Sequence, residues 1–262
     1  MSKYRDDMTH LAATEAVTAA LQLMRAGQWT TALNLLRACS TEDADERRTL
    51  ALASAEVAVD QDFAQQTDNG PAALAAVAPL LDGSPTTAWD VEMLKLRKDY
   101  STALFQSSGR AGELAERARQ LIEQAPDDAR RGAVSFYAGV MADNLLGKPA
   151  EAFTHYTTAH ELGERTGDDL LVSLALRHLG DHAHTAGDLT LARKHWERST
   201  ELRQKVGHLL GALAQQSLLA VLLRDEGDGA GSRALATEVN RWARQADLKF
   251  IVSETAELID QR

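Results

Sequence analysis

Residues 179–199 read LGDHAHTAGDLTLARKHWERS, and this stretch decides the architecture. Gly187 interrupts it with Asp188 directly behind, and Ala192, Trp196 and Ser199 follow the glycine at five, nine and twelve residues. Forty residues upstream, Gly147 is followed at the same offsets by Ala152, Tyr156 and Ala159. Forty residues downstream, Gly227 is followed by Ser232, Ala236 and Val239. A fixed period with fixed internal offsets marks a repeat array.

The pattern continues towards the N-terminus in weaker form. Gly27 precedes Ala32, Leu36 and Cys39; Asn69, beside Gly70, precedes Leu74, Ala78 and Leu81; Gly109 precedes Leu114, Ala118 and Leu121. Six units of 38 to 42 residues result. A second punctuation falls halfway between anchors, at Asp127-Asp128, Gly167-Asp168 and Gly207-His208. Each unit is therefore read as two helices with two turns. Glycine adopts positive φ cheaply and suits a helix C-cap, and an aspartate after it suits the next N-cap. Pro71, Pro79, Pro85 and Pro149 also fall near these boundaries. Leu176, Leu179 and Ala183 recur at helical spacing, as do Ala192, Trp196 and Ser199 on the partner helix. Trp196 is thus expected in the core. The reading is an all-α array of about six helix-turn-helix repeats in one domain over residues 1–262. Its best-defined repeats span 133–245, its irregular ones 9–94, and a capping helix covers 248–262. The stretch Ser40 to Asn69 is the least regular.

Composition narrows the function classes. A formal net charge of −10 repels phosphate backbones, and the basic residues occur only in pairs such as Arg130-Arg131 and Arg193-Lys194. No nucleic-acid partner is expected. The N-terminal MSKYRDDMTH lacks an apolar stretch behind its charges, so no signal peptide is read there. The longest apolar run, Ala72 to Leu81, contains Pro79 and is too short for a bilayer. A cytoplasmic protein with no membrane partner is expected. The single cysteine, Cys39, excludes an intrachain disulfide and sits at a small-residue position of the first unit. Nucleophile-elbow, Walker A and dinucleotide fingerprints are all missing, which argues against an enzyme, and no cofactor is expected.

A helix pair carrying a small residue, an aromatic four later and another small residue three after that resembles the tetratricopeptide repeat. Leu179-Gly180, Gly187-Asp188, Ala192, Trp196 and Leu202 carry the resemblance best, followed by Gly147, Ala152, Tyr156, Ala159 and Leu162. The period of about 40 departs from the 34 residues usual for that family. It resembles longer variants found in bacterial regulatory proteins, where Gly-Asp turns such as Gly167-Asp168 are common. The resemblance implies a right-handed superhelix whose first helices line a concave groove, and a protein or peptide partner held there.

By repeat phase, the groove-facing residues are Tyr137, Met141 and Asn144 in the fourth unit, Arg177, His178, Asp181 and His184 in the fifth, and Gln216, Ser217 and Arg224 in the sixth. Asp99, Ala103 and Gln106 hold the same phase in the third. Asn144, Arg177 and Arg224 together suit a carboxylate or the main chain of an extended peptide. The bland alternative is a solvated polar wall. His178 and His182 stand at i and i+4, a spacing that binds zinc when further ligands converge. No Cys cluster or HExxH motif accompanies them, so packed histidines are the simpler reading and no metal is assigned. The first functional hypothesis is an interaction scaffold or regulatory adaptor that binds a peptide or helical segment. The second is an enzyme or small-molecule sensor built around His178, Asp181 and His184. The third is a self-associating scaffold, a homodimer joined through the Ala- and Leu-rich first two units.

Overall fold

The computed structural model describes residues 12–81, 83–106 and 109–260. Among these are thirteen α helices and no strand. They fall into consecutive pairs: α1 (Ala13–Arg25) with α2 (Trp29–Ala38), α3 (Ala44–Gln65) with α4 (Gly70–Val77), and α5 (Pro85–Gln106) with α6 (Ala111–Glu123). Next come α7 (Asp128–Asn144) with α8 (Pro149–Thr166), α9 (Asp169–Thr185) with α10 (Leu189–Lys205), and α11 (Leu209–Asp225) with α12 (Gly229–Gln245). The final helix, α13 (Lys249–Asp260), packs on α12 and α11. The capping helix expected at 248–262 is this element; residues 261 and 262 lie outside the described residues, as do 9–11 of the expected irregular repeats.

The turn at Gly187 shows why the period holds. Gly187 takes φ +81°, a left-handed conformation that only glycine enters without strain. Its N–H donates to His184 O at 2.9 Å and the Asp188 N–H reaches back to Ala183 O at 3.0 Å, closing the end of α9. The Asp188 carboxylate then accepts from the Leu191 N–H at 2.9 Å and opens α10. Asp127, Asp168 and Asp228 cap α7, α9 and α12 in the same way, and His208 caps α11 through its Nδ1.

Unit two departs from the expected anchor. Asn69 is not left-handed, and Gly70 is the first residue of α4. The left-handed residue is Gln66, at φ 57°. The turn is held instead by Asp62, only 3% exposed, whose carboxylate accepts from the Thr67 hydroxyl at 2.7 Å and from the Asn69 and Gly70 N–H groups at 2.8 Å each. A side-chain acceptor has replaced the glycine turn, and α4 ends after eight residues in a 3-10 turn, Ala78–Leu80.

Helix pairs pack through small residues facing one large aromatic. Ala192, Trp196 and Ser199 on α10 are all buried, and so are Ala152, Tyr156 and Ala159 on α8. Gly180 of α9 and Gly139 of α7 leave the space that Trp196 and Tyr156 fill. Trp29 and Trp89 are also buried, whereas Trp242 is 45% exposed. Cys39 is half-buried in the first unit.

One apolar cluster runs through α5 to α9. A second joins the two ends of the array. It contains Ala13, Ala16, Ala20, Trp29 and Val57 from the first three helices together with Leu213 of α11, Val239 of α12, Leu248 just before α13 and Ile251 within it. In the first unit, part of the candidate dimer seam, Ala13, Ala16, Ala20, Leu33 and Leu36 are buried in this cluster, while Leu21, Leu23 and Leu35 are only partly buried.

Candidate binding groove

The first helices of successive units lie side by side, α1 on α3, α3 on α5, α5 on α7, α7 on α9. Their polar side chains meet along one surface. Arg97 of α5 lies 3.5 Å from Glu56 and 3.9 Å from Asp60 of α3. Asp60 also accepts from the Trp29 indole N–H at 2.7 Å. The Arg97 guanidinium stands over the Tyr137 ring of α7, 5.8 Å from its centre, an arrangement that favours a cation. Tyr137 meets Tyr100 of α5 edge to face, and Asn144 of α7 donates to the Tyr100 hydroxyl at 2.7 Å. Burial pushes the Tyr100 phenol up to about 12, with the Asn144 bond acting against it, so Tyr100 stays neutral.

In the fifth unit Arg177 bonds Asp181 at 2.8 Å, one turn away on α9. Burial raises the Asp181 carboxyl, Arg177 lowering it in opposition. The Glu254 carboxyl of α13 is raised as well, first by desolvation, while Arg177 pulls it down and Glu257 and Asp181 add repulsion. Charges on α9 and α13 therefore sense each other although α11 intervenes in sequence. At that end Arg224, Ser217, Val221, Glu254 and Glu257 border a cleft of about 150 Å³. A larger apolar cleft of about 390 Å³ lies elsewhere, between α8, α9 and α10, walled by Phe153, Leu179, Leu191 and His195. No charged carboxylate, lysine or arginine side chain lines it, so it offers less for specific polar recognition.

The structure separates the residues that repeat phase grouped together. Tyr137, Asn144, Arg177 and Asp181 belong to the polar row, and Arg224 stands exposed beyond it, bonded to Asp225. Gln216 is half-buried on α11. Met141 is fully buried in the α5–α9 core, and Ser217, 3% exposed, turns its hydroxyl to Ala214 O. Val140 and Ala142 on either side of Met141 are buried as well, so α7 is enclosed at this level, whereas Ser217 still borders the cleft beside Arg224. Asp99 of the third unit faces α6, where it meets Arg117 at 2.5 Å, and Ala103 is buried. The α5 residues that do reach the row, Arg97 and Tyr100, were missed because α5, with 22 residues, is longer than the 17-residue α9 from which the phase was carried.

The histidines diverge. His178 stacks on Tyr156, ring centres 4.6 Å apart and planes within 10°, and burial keeps it well below the usual imidazole range. His182 donates to Asp143 of α7 at 3.0 Å. His184 turns the other way, to Asp225 of α11 at 2.8 Å, and leans on Trp196. Among the described residues no three His, Cys, Asp or Glu side chains converge as a metal-holding group. No described helix is long and apolar enough to cross a membrane.

The tetratricopeptide repeat family model matches residues 137–205, the segment that holds the Tyr156 and Trp196 helix pairs. Residues 137–205 carry tetratricopeptide repeats. No protein of curated function matches it. Among solved structures it is similar to a signal transduction ATPase with numerous domains that bears a tetratricopeptide repeat sensor, from Pyrococcus horikoshii. The TM-score is 0.54 at 13% identity, over 92% of this chain. This chain spans only 37% of the length of that protein. It is also similar to a Rap protein complexed with competence and sporulation factor, with TM-score 0.48 and 10% identity, over 93% of this chain and 79% of that one. At such identities the first likeness concerns the tetratricopeptide fold alone.

Proposed function

We propose that this tetratricopeptide chain is a protein-interaction scaffold, a cytoplasmic regulatory adaptor that holds an extended peptide or helical segment of a partner along its first helices. The observation that carries the reading is the row Arg97, Tyr137, Asn144 and Arg177. Three successive units there contribute cations, an amide donor and an aromatic ring to one surface. A peptide offers carbonyl oxygens and carboxylates at spacings that such donors match, and arginine binds carboxylates through two parallel bonds. Asp181 and Glu254 at the far end give the row a direction, because an incoming segment meets carboxylates there.

The test is capture from native lysate with wild type beside the Arg177→Glu/Arg224→Glu double variant, followed by titration of the captured segment as a synthetic peptide. The reading requires a partner retained by wild type alone, whose peptide binds the wild type at least tenfold tighter than the variant, the difference that one lost charge-assisted contact produces on the order of magnitude. Equal capture by two equally stable proteins removes the groove from the account.

A further inference from the structure

The junction between the fifth and sixth units differs from the one before it. Aligned at the 40-residue period, Gly163, Leu171 and Ala175 of the first junction correspond to Arg203, Gly211 and Gln215 of the second. The first set packs as a small-and-apolar seam: a Cβ on Gly163 would touch Val172 and Leu171. In the second, the space vacated at Gly211 is filled by the Arg203 guanidinium, whose Nη1 lies 2.3 Å from where a Gly211 Cβ would stand, and by His208 Nδ1 at 2.4 Å. Arg203 is 3% exposed and Gln215 completely buried. Gln215 follows Gly211 by one turn on the same face of α11.

His208 caps α11, but Arg203 and Gln215 have buried polar atoms without partners. Nε and Nη2 of Arg203 are buried without a hydrogen bond, and so are both amide atoms of Gln215. Nε of Arg25, on α1, is in the same condition. Burial brings Arg203 down only to about 9, Arg177 adding to the effect and Asp181 opposing it, so it remains a cation at neutral pH. A buried cation with no ion pair and a buried amide with neither bond made are each costly. The sequence places them together where the preceding unit has an ordinary seam.

We infer that the α10–α11 junction, near α1, is a binding site for a small oxyanion that also carries an O–H group, such as hydrogen phosphate or an α-hydroxy carboxylate. Nε and Nη2 form one edge of the guanidinium, the edge that donates two parallel bonds to two oxygens of one anion. The Gln215 amide N–H₂ supplies a further donor. Its carbonyl oxygen needs a donor in return, which a bare carboxylate lacks and a hydroxyl provides. Arg25 contributes positive potential: it acts on His208, which Arg203 also faces. The site lies in the helix junction and does not depend on groove binding.

Thermal unfolding of the full chain decides the matter, run at constant ionic strength with chloride replaced stepwise by inorganic phosphate, glycolate or acetate. A ligand of the folded state raises the midpoint in a saturable way. Phosphate or glycolate is expected to do so, with acetate weaker for want of its hydroxyl, and the two positive arms distinguish a phosphate from a carboxylate source. Arg203→Met abolishes the response. Arg203→Lys, which keeps the charge but loses the two-donor edge, and Gln215→Met each raise the half-saturating concentration about tenfold or more. These last two variants keep the test decisive should Arg203→Met fail to fold. The inference is overturned if no anion stabilises the wild type beyond chloride, or if the response persists undiminished in Arg203→Lys and Gln215→Met.

Discussion

Gly180 of α9 and Trp196 of α10 occupy a shared volume: a Cβ on Gly180 would lie 2.4 Å from both Cδ1 and Nε1 of the indole. The indole N–H donates to the Arg177 carbonyl at 2.9 Å, which fixes the ring against the α9 backbone. Alanine is the better helix former by about 1 kcal/mol, yet at this position the methyl must displace a ring that has nowhere to go. Gly180→Ala is expected to destabilise the chain by about 1–3 kcal/mol in urea unfolding. A gain in stability would mean that the ring is free to shift.

Trp196 itself is 2% exposed and holds the centre of its helix pair. Trp196→Ala is expected to cost about 3–5 kcal/mol, from lost transfer energy and the cavity left behind. Chemical denaturation measures it, and a loss under about 1 kcal/mol would place Trp196 outside the core.

The Asp62 carboxylate takes the place of a glycine turn between α3 and α4. Asp62→Ala leaves the Asn69 and Gly70 amides without their acceptor. A loss of about 1–3 kcal/mol is expected, with amide exchange at residues 69 and 70 rising more than in the rest of α4. Unchanged exchange there would show that the backbone alone sets the turn.

Acid should weaken the fold through its buried imidazoles. Burial first, and then Arg177, Arg203 and His182, keep His178 well below its ordinary value; burial and Arg203 bring His208 to about 4. The unfolded chain takes up these protons near pH 6.5, and the native chain refuses them until far lower. Stability is therefore full above about pH 7 and falls as the pH drops through about 6.5 towards 4. The raised carboxyls of Asp60, Asp181 and Glu254 act the other way, since the native state keeps protons there that the unfolded chain releases. His178→Phe, which retains the stack on Tyr156, should flatten the acid slope by up to about 1.4 kcal/mol per pH unit. Urea midpoints between pH 7 and 5 give the slope, and an identical slope in the variant would mean that His178 titrates alike in both states.

The turns were legible in the sequence because each is made locally. Gly187 and Asp188 need only their own helix ends to cap α9 and α10, so spacing finds them. Asn69 misled because the acceptor that shapes its turn, Asp62, comes from the body of the preceding helix. The groove was legible only in part. Phase carried from unit five named Arg177 and Asn144, which lie on the polar row, but also Met141, which the core buries, and Ser217, which is 3% exposed at the edge of the Arg224 cleft. Arg97 pairs with α3 and Tyr137 at once, a relation between three units that no single repeat contains. The polar residues at the second junction carry a readable sign, the replacement of Gly163, Leu171 and Ala175 by Arg203, Gly211 and Gln215. It emerges only when units are compared at buried positions rather than searched for what they share.

The apolar cluster that joins Ala13, Ala16 and Ala20 to Leu248 and Ile251 changes how the molecule comes apart. In an open stack of helix pairs each terminal unit has one neighbour, so unzipping begins at an end and propagates inward. Here residues near both ends belong to one apolar cluster, so exposing one end uncovers part of the surface that the other end packs on. Fraying at one end is thus tied to fraying at the other, and amides in α1 and α13 should exchange with solvent as one cooperative group. A linear chain of repeats acquires in this way the melting behaviour of a loop.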